Sequence, residues 1–237
     1  MADDGLIARS VLANQVKDRL LQDILSGRYR AHARIVETQV ARELGTSQAP
    51  VREALRGLEA LGVVEISPFR GARVRRPSAT ELLEAYEVRF ELEALAARLA
   101  VPRITETDLE LLQADFDDLK AMAAAGDAHA IALADARFHG HIMRMAGNAT
   151  LERLWRSLEP FSRTYITLVA PGVDPTWTGD LHEPILRALQ SRDAALVVEA
   201  LHHHFDDAAA KLREGWLDAE TEQGPARRRK TTARSTS

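Results

Sequence analysis

The sequence predicts a mainly α-helical chain in two parts: a small head of helices closed by a β-hairpin, and a larger antiparallel bundle of six helices. Three observations predict this. Apolar residues recur at three- and four-residue spacing through most of the chain. Two short β-like runs, "VVEIS" and "ARVRR", sit together around "PFRG" near residue 70. From Ser78 onward the helical stretches are separated by capping sequences, with no convincing strand between them. With 237 residues and 46% apolar content, there is material for one large or two modest domains with real cores.

Charge changes along the chain in the same way. Residues 1–77 carry 13 Lys/Arg against 9 Asp/Glu, net +4; residues 78–223 carry 13 against 26, net −13; residues 224–237 carry five basic residues and no acid. A strongly acidic body will not bind a polyanion, so nucleic acid contact is expected only from the ends. Cysteine is absent, which excludes disulfides and thiolate metal sites and suits a reducing cytosol. The stretch "MADDGLIARSVLANQ" lacks the basic start and continuous apolar core of a signal peptide, and no apolar run approaches 18 residues. The expectation is a cytoplasmic protein with no membrane segment.

In the head, residues 10–26 place Val16, Leu20 and Ile24, with neighbouring Leu12 and Leu21, at helical spacing, and Gly27 is a natural stop. A short helix follows with Val40, Ala41 and Leu44 inward. A turn at "GTS" then leads to a second helix from about Gln48 to Leu61, where Gly45 supplies the turn and Ser47 is placed to cap. This is a helix-turn-helix. After Gly62, Pro68 and Gly71 support a tight reversal between the two β-like runs, and Arg70, Arg73, Arg75 and Arg76 lie on or near the hairpin. The whole reads as a winged helix-turn-helix, a layout that puts one helix in the DNA major groove and the hairpin against the backbone or minor groove.

The stretch "TSQAPVREALRGLEALGVVEISPFRGARV" resembles the winged helix of the GntR family of bacterial transcription regulators, over about residues 10–77. The resemblance implies that Ser47, Gln48 and Arg52 face DNA from the recognition helix and that Gly71 lies at the wing tip. Gln48 departs from the family text, which usually has Arg there. Arg suits guanine through a bidentate contact whereas Gln suits adenine, so either the operator differs at that base or Gln48 makes a phosphate or water contact without specificity.

In the body, Ser78 with Glu81 and Thr105 with Asp108 have capping-box spacing, and Asp127, Asn148 and Asp193 stand where later helices begin. Helices are expected near 79–100, 106–125, 127–146, 149–169, 178–191 and 194–217. In "DARFHGHIM" Asp135 and His139 are four apart on a stripe with Phe138, Ile142 and Met143 around them. His182 shares the stripe of Ile185, Leu186 and Leu189, and His204 lies three after Leu201 and seven after Val197. His202 and His203 turn elsewhere, and His141, two residues past His139, faces away from it. One buried histidine is ordinarily a satisfied core residue. Three histidines and a carboxylate sent into one interior are costly unless paired, and a divalent metal satisfies all of them at once. With only nitrogen and oxygen ligands, zinc, nickel, manganese and iron remain open.

The order "DARFH", "AGN", a histidine near the start of one helix and another after "RDAALVVEA" resembles the FCD domain of the FadR subgroup of GntR regulators, over roughly residues 80–217. In many members the Asp and three His of this pattern bind a metal, which carries over to Asp135, His139, His182 and His204. The six-helix count points to the shorter, VanR-like branch. Arg89, three after Tyr86 and four before Glu93, borders the inward stripe of its helix. It is either an intrahelical pair with Glu93 worth a few tenths of a kcal/mol or, with Tyr86, a clamp for an organic-acid effector.

The expected organisation is therefore a DNA-binding domain over 1–77, a helical metal- and effector-binding domain over 78–220, and a disordered basic tail over 221–237. The function it implies is a homodimeric transcription regulator whose affinity for its double-stranded operator responds to a small carboxylate. The alternative from another class is a metal-dependent hydrolase with an accessory nucleic-acid-binding domain, since such a metal can also activate water. No spare Glu or His is clearly placed as its general base.

Overall fold

The computed structural model describes residues 3–68, 70–164 and 176–223. The head opens with α1 (Asp3–Leu25), which begins well before the expected residue 10. Val16, Leu20 and Ile24 are buried as their spacing requires, but Leu12 is exposed, because the head's core begins a turn later, at Val16. Helices α2 (Glu37–Glu43) and α3 (Gln48–Ala60) form the helix-turn-helix, with Gly45 at φ +63 in the turn. Leu44 is exposed rather than inward: as the C-cap of α2 (φ −93, ψ 2) it has left the helical repeat that buries Val40 and Ala41. Ser47 occupies the N-cap of α3 with extended backbone, yet its side chain makes no cap hydrogen bond. The third helical residue is Pro50, which has no N–H to offer it.

The wing is the hairpin of β2 (Val64–Ser67) and β3 (Gly71–Val74), paired antiparallel from Ser67↔Gly71 to Val64↔Val74. Gly71 has φ +78, a backbone conformation that favours glycine. A third strand, β1 (Arg34–Ile35), pairs with the outer side of β3, giving the order β1-β3-β2. Two residues are too few to carry a period-2 pattern, so the sequence did not announce it. Ile35, Val64, Ala72 and Val74 face inward onto Leu20, Val51, Leu55 and Leu58, and this core fixes α3 with its opposite side in solvent.

The body contains six helices among the described residues: α4 (Ala79–Ala100), α5 (Glu106–Ala125), α6 (Ala128–Met145), α7 (Ala149–Thr164), α8 (Thr176–Ser191) and α9 (Ala194–Gln223). A 3-10 turn, Val101–Arg103, follows α4. Both capping boxes form: Ser78 with Glu81 starts α4, and Thr105 with Asp108 starts α5. Asp127, Asn148 and Asp193 each accept backbone N–H bonds at the starts of α6, α7 and α9. The far end expected for α7, to 169, lies outside the described residues. Helix α9 runs to Gln223, past the expected 217 and past the 220 boundary, so residues 221–223 are helical; the rest of the basic tail lies outside the described residues.

Helix α6 lies against α4, α5 and α7, while α4 and α8 both pack on α9. Phe138, Ile142 and Met143 of α6, Leu82 of α4, Leu112 of α5, Ile185 and Leu189 of α8 and Leu201 of α9 are fully buried together. Each such side chain contributes roughly 1.5–3 kcal/mol relative to exposure, so the facing stripes of α4, α6, α8 and α9 are held in fixed register. The wing leads straight into this bundle. Arg75, just past β3, pairs with Glu81, the same carboxylate that closes the capping box of α4. None of the described helices is long and apolar enough to cross a membrane.

Candidate metal centre and DNA-binding face

On α4 the inward stripe runs Leu82, Tyr86, Arg89, Glu93, Ala97, Ala100, in steps of three or four residues, and all six are buried. A guanidinium and a carboxylate thus sit in the stripe that packs on α6 and α9. Arg89 Nε and Nη2 donate to Glu93 Oε1 at 3.1 and 2.8 Å. This pair is 5% and 0% exposed, so the small energy expected of a surface i,i+4 pair does not apply. Removing one partner of a buried pair costs about 3–5 kcal/mol. Arg89 also lies 5.7 Å over the Trp155 ring and 5.3 Å over Phe205.

Helices α6, α8 and α9 bring His139, His182 and His204 together. Their ring centroids are 5.0, 4.9 and 4.6 Å apart pairwise, and one nitrogen from each lies within 4.8 Å of the others. Asp135 Oδ1 is 3.1 Å from His182 Nε2 and 3.8 Å from His139 Nε2. The four residues therefore converge, each buried. Burial works against the Asp135 charge, but when protons rather than a metal sit on the inward nitrogens, the bond donated by His182 Nε2–H and the charges of His139, His182 and Arg89 outweigh it and hold the carboxyl well below its ordinary range. Burial and the two neighbouring imidazoles push His204 well below its ordinary value, so it is neutral at pH 7.

Outer hydrogen bonds decide which nitrogens face inward. His182 Nδ1 is 2.7 Å from the Thr178 carbonyl and His139 Nδ1 is 2.5 Å from Glu93 Oε2. Both partners are acceptors only, so both Nδ1 atoms donate, and in a neutral ring each Nε2 then presents a lone pair. Those two Nε2 atoms face each other at 3.1 Å. Lone pairs do not oppose one another at that distance without a cation or a proton between them. His204 Nδ1 is buried with no hydrogen-bond partner among the described residues. Three imidazoles and a carboxylate converging in this way, with the far sides of His139 and His182 tied down, fit the donor set and part of the second shell that a divalent metal takes.

Beside the cluster is a cavity of about 60 Å³ lined by Tyr86, Arg89, Asp135, Trp177, His182 and His204, among others. On the scale of about 10–15 Å³ per enclosed water, it admits a few non-hydrogen atoms next to the imidazoles. Tyr86 and Arg89, the two residues expected at an effector site, both line it. Trp155 and Trp177 were not foreseen, and Glu93 was expected only as the intrahelical partner of Arg89, a pair that forms. The signal for Glu93 was its place four after Arg89 and four before Ala97 on one stripe. His141 is outside the cluster, as its spacing predicted, but it is buried against α5, 3.2 Å from Asp115. His202 and His203 are exposed.

On the head, Ser47, Gln48 and Arg52 are all exposed on the first turns of α3, on the side away from Val51, Ala54, Leu55 and Leu58. Arg52 is held by Glu37 of α2, with Nη2 to Oε2 at 2.9 Å. In the wing, Arg70 and Gly71 are exposed at the reversal, and Arg73 donates to the His32 carbonyl at 3.1 Å. The residues expected to meet DNA are thus all exposed, on α3 and on the hairpin, and well separated in sequence from the histidine cluster.

A winged helix-turn-helix feeding directly into a helical body with an internal ligand-type cavity defines a DNA-binding transcription regulator. Residues 12–74 match the bacterial regulatory proteins of the gntR family and residues 84–207 match the FCD domain. The chain belongs to the GntR family, in the group that carries a C-terminal FCD domain. It is 36% identical over 198 residues (84% of this chain, 87% of the relative) to the "Probable D-xylose utilization operon transcriptional repressor" of Paenarthrobacter nicotinovorans. It is 28% identical, over 86% of each chain, to the gluconate operon transcriptional repressor of Bacillus subtilis strain 168. Among solved structures, McbR/YncC of E. coli superposes with a TM-score of 0.73 at 25% identity, covering 86% of this chain and 98% of that one. A GntR regulator from Rhodococcus sp. RHA1 shares the fold, with a TM-score of 0.75 at 23% identity over 85% of this chain and 97% of that one. The relatives are regulators, which sets aside the hydrolase reading.

Proposed function

We propose that this regulator binds its operator as a homodimer through α3 and the wing, and that its operator affinity is set by a small carboxylate bound beside a divalent metal. Asp135, His139, His182 and His204 hold the metal; Arg89 and Tyr86 hold the effector. The DNA-reading residues are Ser47, Gln48 and Arg52, with Arg70, Gly71 and Arg73 of the wing against the backbone or minor groove. The observation that carries the reading is the convergence of Asp135 and the histidine lone pairs beside the Arg89 cavity.

Charge supports the choice of ligand. Counting the imidazoles as neutral ligands, Arg89, Glu93 and Asp135 leave the buried cluster with one net negative charge, which a divalent cation reverses to one positive. An anion then completes the balance, and guanidinium suits a carboxylate. A bound metal supplies positive charge and open coordination positions for an oxygen ligand. The named relatives govern gluconate and D-xylose operons. Sugar-derived hydroxy acids, whose carboxylate end is the part that the small cavity beside the imidazoles would take, are therefore the first class to test. The route to DNA is α4, which carries Arg89 near the effector and Glu81 against Arg75 of the wing, so tilting α4 alters the spacing of the two recognition helices in the dimer.

Metal analysis of protein purified without chelator tests the site. About one divalent ion per chain is expected, falling sharply in His204→Ala and unchanged in His203→Ala, with operator binding intact in both. Metal-free wild-type protein, or equal loss from His203→Ala, contradicts the reading.

A further inference from the structure

We propose that Glu93 is a positioning residue for the metal site: its carboxylate sets the tautomer of His139, so that Nε2 rather than Nδ1 is offered to the ion, and ties that ligand to Arg89. The inference rests on the metal reading above. Glu93 is fully buried and receives four donors from three helices. His139 Nδ1 reaches Oε2 at 2.5 Å, while Arg89 Nε and Nη2 and Trp155 Nε1 reach Oε1 at 3.1, 2.8 and 2.7 Å. Only a carboxylate accepts all four, because only it has two oxygens and no hydrogen.

A glutamine in the same place has one acceptor oxygen and an NH2 group that must face someone. Arg89 cannot give up its charge, so the amide oxygen turns to Arg89 and Trp155 and the NH2 turns to His139. His139 Nδ1 then has to accept, which moves the ring proton to Nε2 and removes the lone pair the metal requires. The volume of the side chain is unchanged. An ion pair that served only to fill the core would have no such effect on which nitrogen of His139 carries the proton. The same carboxylate also makes the effector's arginine and a metal ligand neighbours through one group, so an anion that draws Arg89 away from Glu93 acts on His139 directly.

The test uses full-length Glu93→Gln protein beside wild type and Trp155→Phe, which removes a donor from Oε1 and leaves Oε2 to His139. Zinc affinity is measured by competition with a chelating dye, and the His139 ring nitrogens are followed by 15N NMR in metal-free protein at one fixed pH. Loss of an outer-shell partner typically costs 10- to 100-fold in metal affinity. Glu93→Gln should show that loss together with a bare Nδ1, and Trp155→Phe should keep wild-type zinc affinity and a protonated Nδ1. Unchanged zinc affinity in Glu93→Gln, or a protonated Nδ1 in it, overturns the proposal. If Glu93→Gln does not fold, the wild-type spectrum decides: a bare His139 Nδ1 overturns the proposal and a protonated one supports it. Wild type that fails to bind zinc overturns the metal reading instead, while the metal-free spectra still judge the tautomer.

Discussion

The buried pair on α4 makes a quantitative prediction about stability. Replacing Arg89 with methionine keeps most of the side-chain volume but leaves the Glu93 carboxylate, 0% exposed, with His139 and Trp155 as its donors among the described residues. The two bonds of 3.1 and 2.8 Å to Oε1 and the compensating charge disappear together. The expected cost is about 3–5 kcal/mol. Glu93→Gln alone should cost a comparable amount, because an amide oxygen still accepts from Arg89 but no longer balances its charge, 5% exposed between aromatic rings. Removing both partners removes both charge imbalances. The double variant Arg89→Met/Glu93→Gln should therefore lose far less than the two single losses combined, with a coupling energy on the order of 2 kcal/mol or more. Urea unfolding of metal-free protein, followed by circular dichroism, supplies the four values. A double variant as destabilised as the two singles added together, within about 0.5 kcal/mol, would refute the claim that Arg89 and Glu93 compensate one another.

Arg52→Ala should weaken specific operator binding by roughly 5- to 150-fold per half-site if the guanidinium reads a base. Fluorescence anisotropy at several salt concentrations decides, since an equal loss on nonspecific DNA with a flatter salt slope means a phosphate contact instead. Acid should destabilise metal-free protein in two stages. Burial and its neighbours depress His204 in the folded state, so below its ordinary 6.5 the unfolded chain binds a proton that the folded chain does not. Against the penalty of burial, His139 and Arg89 hold Glu93 at about 2, below its ordinary 4.5, so the stability it contributes above 4.5 is lost as pH falls toward 2. Urea midpoints that stay flat from about pH 7.5 down to 5 would contradict the first sign, and midpoints that stay flat from about pH 5 down to 2 would contradict the second. Ser78→Ala removes the acceptor for the Glu81 N–H at the start of α4 and should cost about 0.5–2 kcal/mol, read from the same unfolding curves; no change would mean that the wing and not the cap fixes the start of α4.

Local signals were legible where one residue type does one job. The capping boxes at Ser78 and Thr105, the turn glycines at 45 and 71, and the inward spacing of Asp135, His139, His182 and His204 all fall where periodicity and capping chemistry place them. Signals failed where tertiary context overrides a local rule. Ser47 has the composition of a cap but faces a proline nitrogen, and Leu44 has the composition of a core residue but stands one position beyond the helix that would have turned it inward. Glu93 was legible as the partner of Arg89 but not as a partner of His139, because glutamate four after arginine on a helix ordinarily describes a solvated face. Only the arrival of His139 and Trp155 from α6 and α7 shows that this pair is interior. Trp177 at the cavity stands one residue before the expected start of its helix at 178, whereas α8 begins at Thr176.

The central claim is that the metal-centred cavity controls operator affinity, and anisotropy titration of a selected operator fragment tests it most directly. Zinc-loaded wild type and His182→Ala protein are each titrated with and without D-gluconate and a panel of related sugar acids. Coupling of typical size, about 1–3 kcal/mol, predicts that at least one acid shifts wild-type operator affinity by roughly 5- to 150-fold, and that the shift vanishes in His182→Ala. Equal affinities across the panel, or a shift that survives the loss of His182, would contradict it.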